Sequence, residues 1–151
     1  MKTRTHATAL LFSLSLTACG GGDAMTLPPT EADRVIQETP ADNPGADAFP
    51  RFATAFGVYV LATEDVSDAD LLWAVNVMAQ YLDDNEDGTV DAPEVVQEMT
   101  ARSATIVMFE TEREARFFRN WDLLDGLAAQ DLYGEETHPS DRFDALSLIH
   151  I

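Results

Sequence analysis

Oxygen-bearing side chains are concentrated in the twelve-residue stretch from Asp83 to Glu94, which reads D-D-N-E-D-G-T-V-D-A-P-E. Asp83, Asn85 and Asp87 alternate at positions 1, 3 and 5 of this stretch, and Asp91 and Glu94 follow at positions 9 and 12. Calcium prefers a shell of six to eight oxygen ligands supplied by carboxylates, amides and carbonyl groups. The stretch therefore predicts a loop that binds Ca²⁺.

Two further positions fit this prediction. Gly88, at position 6, falls where the backbone must turn sharply and where a side chain is expected to clash, and Thr89, at position 7, can offer its backbone carbonyl oxygen. The pattern D-x-[DN]-x-[DN]-G-x₅-E is matched at every constrained position, and residues 67–102 resemble the EF-hand calcium-binding family. The resemblance implies one Ca²⁺ ion with six ligand residues: Asp83, Asn85, Asp87, Thr89, Asp91 and Glu94.

EF-hand loops usually occur in pairs that bridge through position 8, which is Val90 here, but this sequence contains one such loop. Three arrangements are open. A partner loop could follow in a C-terminal continuation, two molecules could form a homodimer across Val90, or the loop could act alone as a structural calcium site. The third is favoured because strands are predicted on both sides of the loop and can cover its apolar surfaces.

The N-terminal residues resemble the export signal of a bacterial lipoprotein. Lys2 and Arg4 precede the apolar stretch 7–16, and the sequence L-T-A-C that ends at Cys19 resembles a lipobox. The resemblance implies that residues 1–18 are a signal peptide and that Cys19 carries the lipids of a membrane anchor. The alternative is an ordinary signal peptide with an incidental cysteine. Gly20 after the cysteine favours the outer membrane in a Gram-negative organism, with the protein periplasmic or surface-exposed in the cell envelope.

The charge of the chain limits its partners. All 27 acidic residues follow Cys19, whereas two of the nine basic residues precede it, so the mature chain has a formal charge of −20. Charge of this sign argues against nucleic acid and anionic lipid headgroups as ligands, and it favours divalent cations. The sequence does not identify a protein partner.

Hydrophobic patterning predicts an α+β fold that is mainly helical, with one helix-loop-helix packed on a small sheet or strand pair. Residues 19–50 are rich in Gly, Pro, Asp and Thr and predict a disordered tether, and residues 51–145 are predicted to form the domain. Within it, helices are expected at 67–82, at 93–101, after a capping box at Thr111 to Glu114, and at 123–132, and strands are expected at 56–61 and 105–109. Asp91 and Glu94 also predict a side-chain cap at the start of the second helix.

The C-terminal residues 146–151, L-S-L-I-H-I, resemble the translation of a sequencing adapter, so the natural chain is expected to continue past Ala145. No catalytic motif is visible, and His138 is most simply an exposed loop residue. An enzyme is therefore not favoured within these residues. The alternative is the N-terminal fragment of a secreted metal-dependent hydrolase, to which His138 would contribute.

Overall fold

The computed structural model describes residues 24–137. The predicted signal peptide, Cys19 with its predicted lipidation, His138 and the stretch 146–151 lie outside the described residues. The expectations made for them therefore stay predictions.

The framework of the described chain is a mixed sheet of five strands in the order β1-β2-β3-β4-β5. The first three strands pair antiparallel, and β3, β4 and β5 pair parallel. Their bounds are β1 Gln37–Glu38, β2 Arg51–Ala55, β3 Val58–Ala62, β4 Ala104–Phe109 and β5 Ala128–Tyr133.

A tight hairpin joins β2 to β3. Phe56 and Gly57 form the turn with φ angles of 50° and 81°, and Ala55 pairs with Val58 directly beside it. Two successive residues with positive φ give the turn the twist that antiparallel strands require. The hairpin fixes the register that carries Val58 and Val60 to one face of the sheet.

Four short helices and one 3-10 turn complete the described chain. The helices are α1 Asp68–Leu82, α2 Pro93–Ala101, α3 Glu112–Phe117 and α4 Gly134–Thr137, and the 3-10 turn is Trp121–Leu124. Helix α1 starts at Ser67, whose hydroxyl accepts the N–H of Asp70. Because β3 and β4 are parallel, the chain must cross from one end of the sheet to the other between them, and α1 and α2 form this crossover. None of these helices is long and apolar enough to span a bilayer.

Both faces of the sheet are packed, as the alternation of side chains along β3 requires. Val58, Val60 and Ala62 face the buried side of α1, where Leu71 and Val75 are fully buried. Leu61 lies in the second core cluster, on the opposite face. That cluster includes Phe49, Phe52, Val107, Phe109, Ala115 and Leu124.

The predicted fold class is wrong. The domain is organised by a five-stranded sheet and is not a mainly helical EF-hand helix-loop-helix on a strand pair. The clearest error is the helix predicted at 123–132, since β5 occupies Ala128–Tyr133 and pairs with β4 from Ala104 to Phe109. Backbone pairing with a neighbouring strand outweighs the weak helical preference of these residues.

The predicted disorder of the tether is also wrong for residues 24–50. Strand β1 pairs with β2, and Met25 and Phe49 are almost completely buried. The Phe49 ring lies 5.3 Å from that of Phe118 and 6.4 Å from that of Phe109, measured between centroids. A few large apolar side chains therefore hold a segment whose average composition is that of a linker.

Candidate calcium site

The predicted loop connects α1 to α2 and is closed at its base by the backbone. Asp83 ends α1, with its N–H donating to the carbonyl of Ala79 at 2.9 Å. The N–H of Asp91 donates to the carbonyl of Leu82, also at 2.9 Å. The residues at positions 1 and 9 of the loop are thereby held at the end of one helix.

Asp83 is the buried residue of the loop, with 6% of its surface exposed. Its Oδ1 accepts the N–H of Asp87 at 3.1 Å, and its Oδ2 accepts the N–H of Gly88 at 2.8 Å. The carboxylate therefore points into the loop, and backbone donors satisfy both oxygens.

The side chains at positions 3, 5 and 9 also turn onto the loop backbone. Asn85 Oδ1 accepts the N–H of Asp87 at 2.9 Å, and Asp87 Oδ1 accepts the N–H of Thr89 at 2.9 Å. Asp91 Oδ2 accepts the N–H of Asp84 at 2.7 Å. Such local bonds from Asp and Asn stabilise a tight turn and place oxygen atoms on its inner side.

Gly88 has a φ angle of 84°, in the region that favours glycine. The expectation of a clash is wrong, because a Cβ added there would meet no heavy atom within 4 Å. The requirement for glycine is thus conformational. Glu86 has a φ of 57°, so a second residue of the loop is also left-handed, and it is not glycine.

Glu94 does not join the other predicted ligands in the structure. It is exposed on the first turn of α2, and its side chain makes no hydrogen bond or ion pair within residues 24–137. The predicted side-chain cap by Asp91 is absent, because Ala92 caps α2 without a side-chain bond and the Asp91 carboxylate is turned to Asp84. Thr89 lies in the loop with an exposed side chain, as expected for a residue that would contribute only its carbonyl oxygen.

The predicted ligands therefore have atom types that suit a metal ion, but their side chains are not all positioned to hold one. No group of three or more His, Cys, Asp or Glu side chains in the described part of the chain is close enough together to hold a metal ion. Four predicted ligands, Asp83, Asn85, Asp87 and Asp91, nevertheless turn into the same loop. All six predicted residues offer hard oxygen atoms, which suit Ca²⁺ and Mg²⁺ rather than the softer transition metals.

The charge of the loop favours a cation strongly. The residues from Asp83 to Glu94 include six carboxylates and no basic side chain. The Glu86 carboxylate bonds to Gln80 Nε2 at 3.1 Å, which is a neutral donor. No basic side chain of the loop offsets the repulsion between these neighbouring carboxylates, so a cation bound there would relieve it.

A buried polar pair that the sequence did not predict lies at the opposite end of α1. Asp70 is 4% exposed, and its Oδ1 accepts a hydrogen bond of 2.7 Å from the hydroxyl of Thr137. Its Oδ2 accepts from Ser67. No short-range sequence pattern reveals a partner 67 residues away.

Two tyrosines have raised pKa values. The hydroxyl of Tyr133 donates to Asp131 Oδ2 at 2.7 Å, and this bond raises the pKa of Tyr133 to about 12. Burial, followed by the charge of Asp33, raises the pKa of Tyr59, whose hydroxyl donates to the carbonyl of Pro28. Neither group is near the calcium loop in the sequence, and each acts as a structural hydrogen-bond donor.

No family model, no curated protein and no solved structure matches the chain. The interpretation of the site therefore depends on its own residues. The hydrolase alternative depends on His138, which lies outside the described residues.

Proposed function

We propose that this is a calcium-binding protein of the cell envelope, in which the loop from Asp83 to Glu94 binds one Ca²⁺ ion and Cys19 carries a lipid anchor. The observation that carries the calcium proposal is the shared orientation of four side chains, Asp83, Asn85, Asp87 and Asp91, into one acidic loop. Their spacing is that of a calcium loop of the EF-hand type.

Glu94 is the proposed ligand that completes the shell. It lies in the first turn of α2, three residues beyond Asp91, and its side chain would have to turn towards the loop when the ion binds. A bidentate carboxylate at this position is what distinguishes a calcium loop from a simple acidic turn.

The proposed role of the ion is structural. The loop is part of the crossover between β3 and β4, so an ion bound there would fix α2 relative to α1. Val90 is partly buried within its own chain, which supports a loop that works alone rather than one that pairs with another molecule. Extracellular calcium modules bind with dissociation constants of about 10⁻⁴ to 10⁻³ M, and an exported protein needs no tighter affinity.

The anchor proposal rests on the sequence around Cys19 alone. The Gly-rich residues that follow this cysteine would separate the lipid from the folded part. Such an anchor would place the domain at a membrane surface without a membrane-spanning helix.

Titration calorimetry with calcium tests the site. Glu94→Gln removes one charge and the bidentate contact, so we expect the dissociation constant to rise more than tenfold, about 1.4 kcal/mol or more. Glu86→Gln is the matched control, because it removes the same charge from the same loop at a position that is not a predicted ligand. Equal weakening by the two substitutions would show non-specific attraction of cations to an acidic loop, and no weakening by either would refute the site.

A further inference from the structure

An apolar groove of about 520 Å³ lies between α1, α2 and the parallel half of the sheet. The residues that define this apolar groove include Trp73, Val77 and Tyr81 of α1, Met99 of α2, Ile106 of β4 and Leu132 of β5.

The apolar groove is open because α1 does not extend over the whole sheet. The helix packs mainly on β2 and β3, and α2 contacts β3 and β4, so the same face of β4 and β5 is only partly covered in the described part of the chain. Tyr81 is 66% exposed, and Ala128 and Gln130 of the edge strand are exposed as well. A groove of this volume with an almost wholly apolar lining can take up an apolar side chain.

The course of the chain after β5 indicates which occupant is nearest. Helix α4 follows β5 directly and turns towards α1, where Thr137 is bonded to Asp70 in the first turn. Trp73, at one end of the apolar groove, is three residues from Asp70, about 4.5 Å along the helix axis. The chain therefore leaves Thr137 on the same face of the sheet as the apolar groove and close to its end.

We propose that the segment 138–145 of this same chain docks in the apolar groove, with Phe143 as the side chain that enters it. Phe143 is the one aromatic residue of this segment and is six residues from Thr137, a reach of up to about 20 Å. The groove extends from Trp73 to Tyr81, about 12 Å along α1. The segment is thus long enough to place Phe143 anywhere along it.

A second copy of the chain is a less suitable occupant. Each molecule has a formal charge of −18, so two copies repel each other, whereas residues 138–145 are tethered at the groove and meet it at a high effective concentration. The proposal does not depend on calcium binding, and its test is made at one fixed calcium concentration.

The test uses the full chain with Trp121→Phe, which leaves Trp73 as its single tryptophan. Phe143→Asp should release the segment, move the Trp73 emission to longer wavelength and increase its quenching by acrylamide. Asp141→Asn, a change of charge two residues away, should leave both quantities as in the parent. Circular dichroism checks that each variant remains folded.

Equal Trp73 emission and quenching in the parent and both variants would overturn the proposal. A second result would also overturn it: shielding of Trp73 from acrylamide that increases with protein concentration and is unaffected by Phe143→Asp. A second copy of the chain would then be the occupant. As a second measurement, Val77→Ala and Phe143→Ala should together shift the urea unfolding midpoint by less than the sum of their separate shifts. If the two shifts in urea midpoint simply add, the side chains of Val77 and Phe143 are not in contact, which would also contradict the proposal.

Discussion

The hydroxyl of Thr137 donates a hydrogen bond of 2.7 Å to the carboxylate of Asp70, and both residues are almost fully buried. The same hydroxyl lies 2.7 Å from the carbonyl oxygen of Gly134. This contact fastens α4, which follows the edge strand β5, to the first turn of α1 across the end of the sheet.

Loss of this contact should destabilise the domain. Thr137→Val keeps the shape of the side chain but removes the donor, so a buried carboxylate oxygen loses a partner, at a cost of about 1–3 kcal/mol. Thr137→Ser keeps the hydroxyl and should cost less. Urea unfolding of the two variants checks the prediction, and a Val variant as stable as the Ser variant would contradict it.

Gly88→Ala should destabilise the loop from Asp83 to Glu94 through its backbone. Gly88 has a φ of 84°, and an L-residue in this left-handed region costs about 1–2 kcal/mol even where the Cβ has free space. Calcium affinity should fall, because the strain opposes the turn that presents the ligands. Titration calorimetry measures the affinity for calcium. Glu86→Gly is the comparison variant, because it places a glycine at the other left-handed position of the loop, where Gly88→Ala removes one. An unaltered affinity in Gly88→Ala would show that the loop adopts another conformation when it binds.

Calcium should raise the melting temperature of the protein. At a free concentration one hundred times the dissociation constant, binding to the folded state alone adds about 2.7 kcal/mol to the free energy of unfolding. Screening of the negative charge adds a non-specific part, which NaCl at equal ionic strength reproduces and which Glu94→Gln retains. Differential scanning calorimetry separates the two contributions. A melting temperature that responds equally to both salts would exclude a structural calcium site.

Tyr133 should titrate well above a free tyrosine. Its hydroxyl donates to Asp131, which raises the pKa to about 12 from the usual 10.0, so the protonated form is favoured in the folded state. The resulting stabilisation is complete below pH 10 and is lost as the pH rises through about 12. Asp131→Asn should move the pKa of Tyr133 towards 10, measured by ultraviolet absorbance of the phenolate.

Cys19→Ser should abolish the membrane anchor. A lipobox requires the thiol for lipid attachment, so the variant should lose labelling by radioactive fatty acid, and the protein should leave the membrane fraction or remain an uncleaved precursor. A neighbouring change, Gly22→Ser, should leave labelling intact. Membrane association of the Cys19→Ser variant equal to that of the parent would refute the lipoprotein hypothesis.

Short sequence patterns predicted the helices and strands whose formation depends on residues close together in the sequence. Helix α1 has its Ser67 cap and a repeat of apolar residues, and β4 has a short run of β-branched and aromatic residues, so both were found in the sequence. Strands β1, β2 and β5 were not predicted. Each depends on a neighbouring strand, and the exposed residues of β5 carry no alternation that would reveal it.

The same limit applies to the proposed calcium site. Spacing alone predicted that Asp83, Asn85, Asp87 and Asp91 turn into one loop, because each makes its bonds to backbone a few residues away. Glu94 belongs to a different element, and its position is set by how α2 packs. That packing is governed by the sheet, which the sequence did not predict correctly.

The crossover between Ala62 and Ala104 also has a consequence for how the chain is made. Strands β1 to β3 meet through nearby turns, whereas Val60 can pair with Ile106 only after the whole crossover has been synthesised. Until then β3 is an exposed edge strand, the kind of surface that recruits strands from other chains. Of the 27 acidic residues, 17 precede β4 and are already present during this interval, so we expect their repulsion of other copies to limit aggregation of the unfinished sheet.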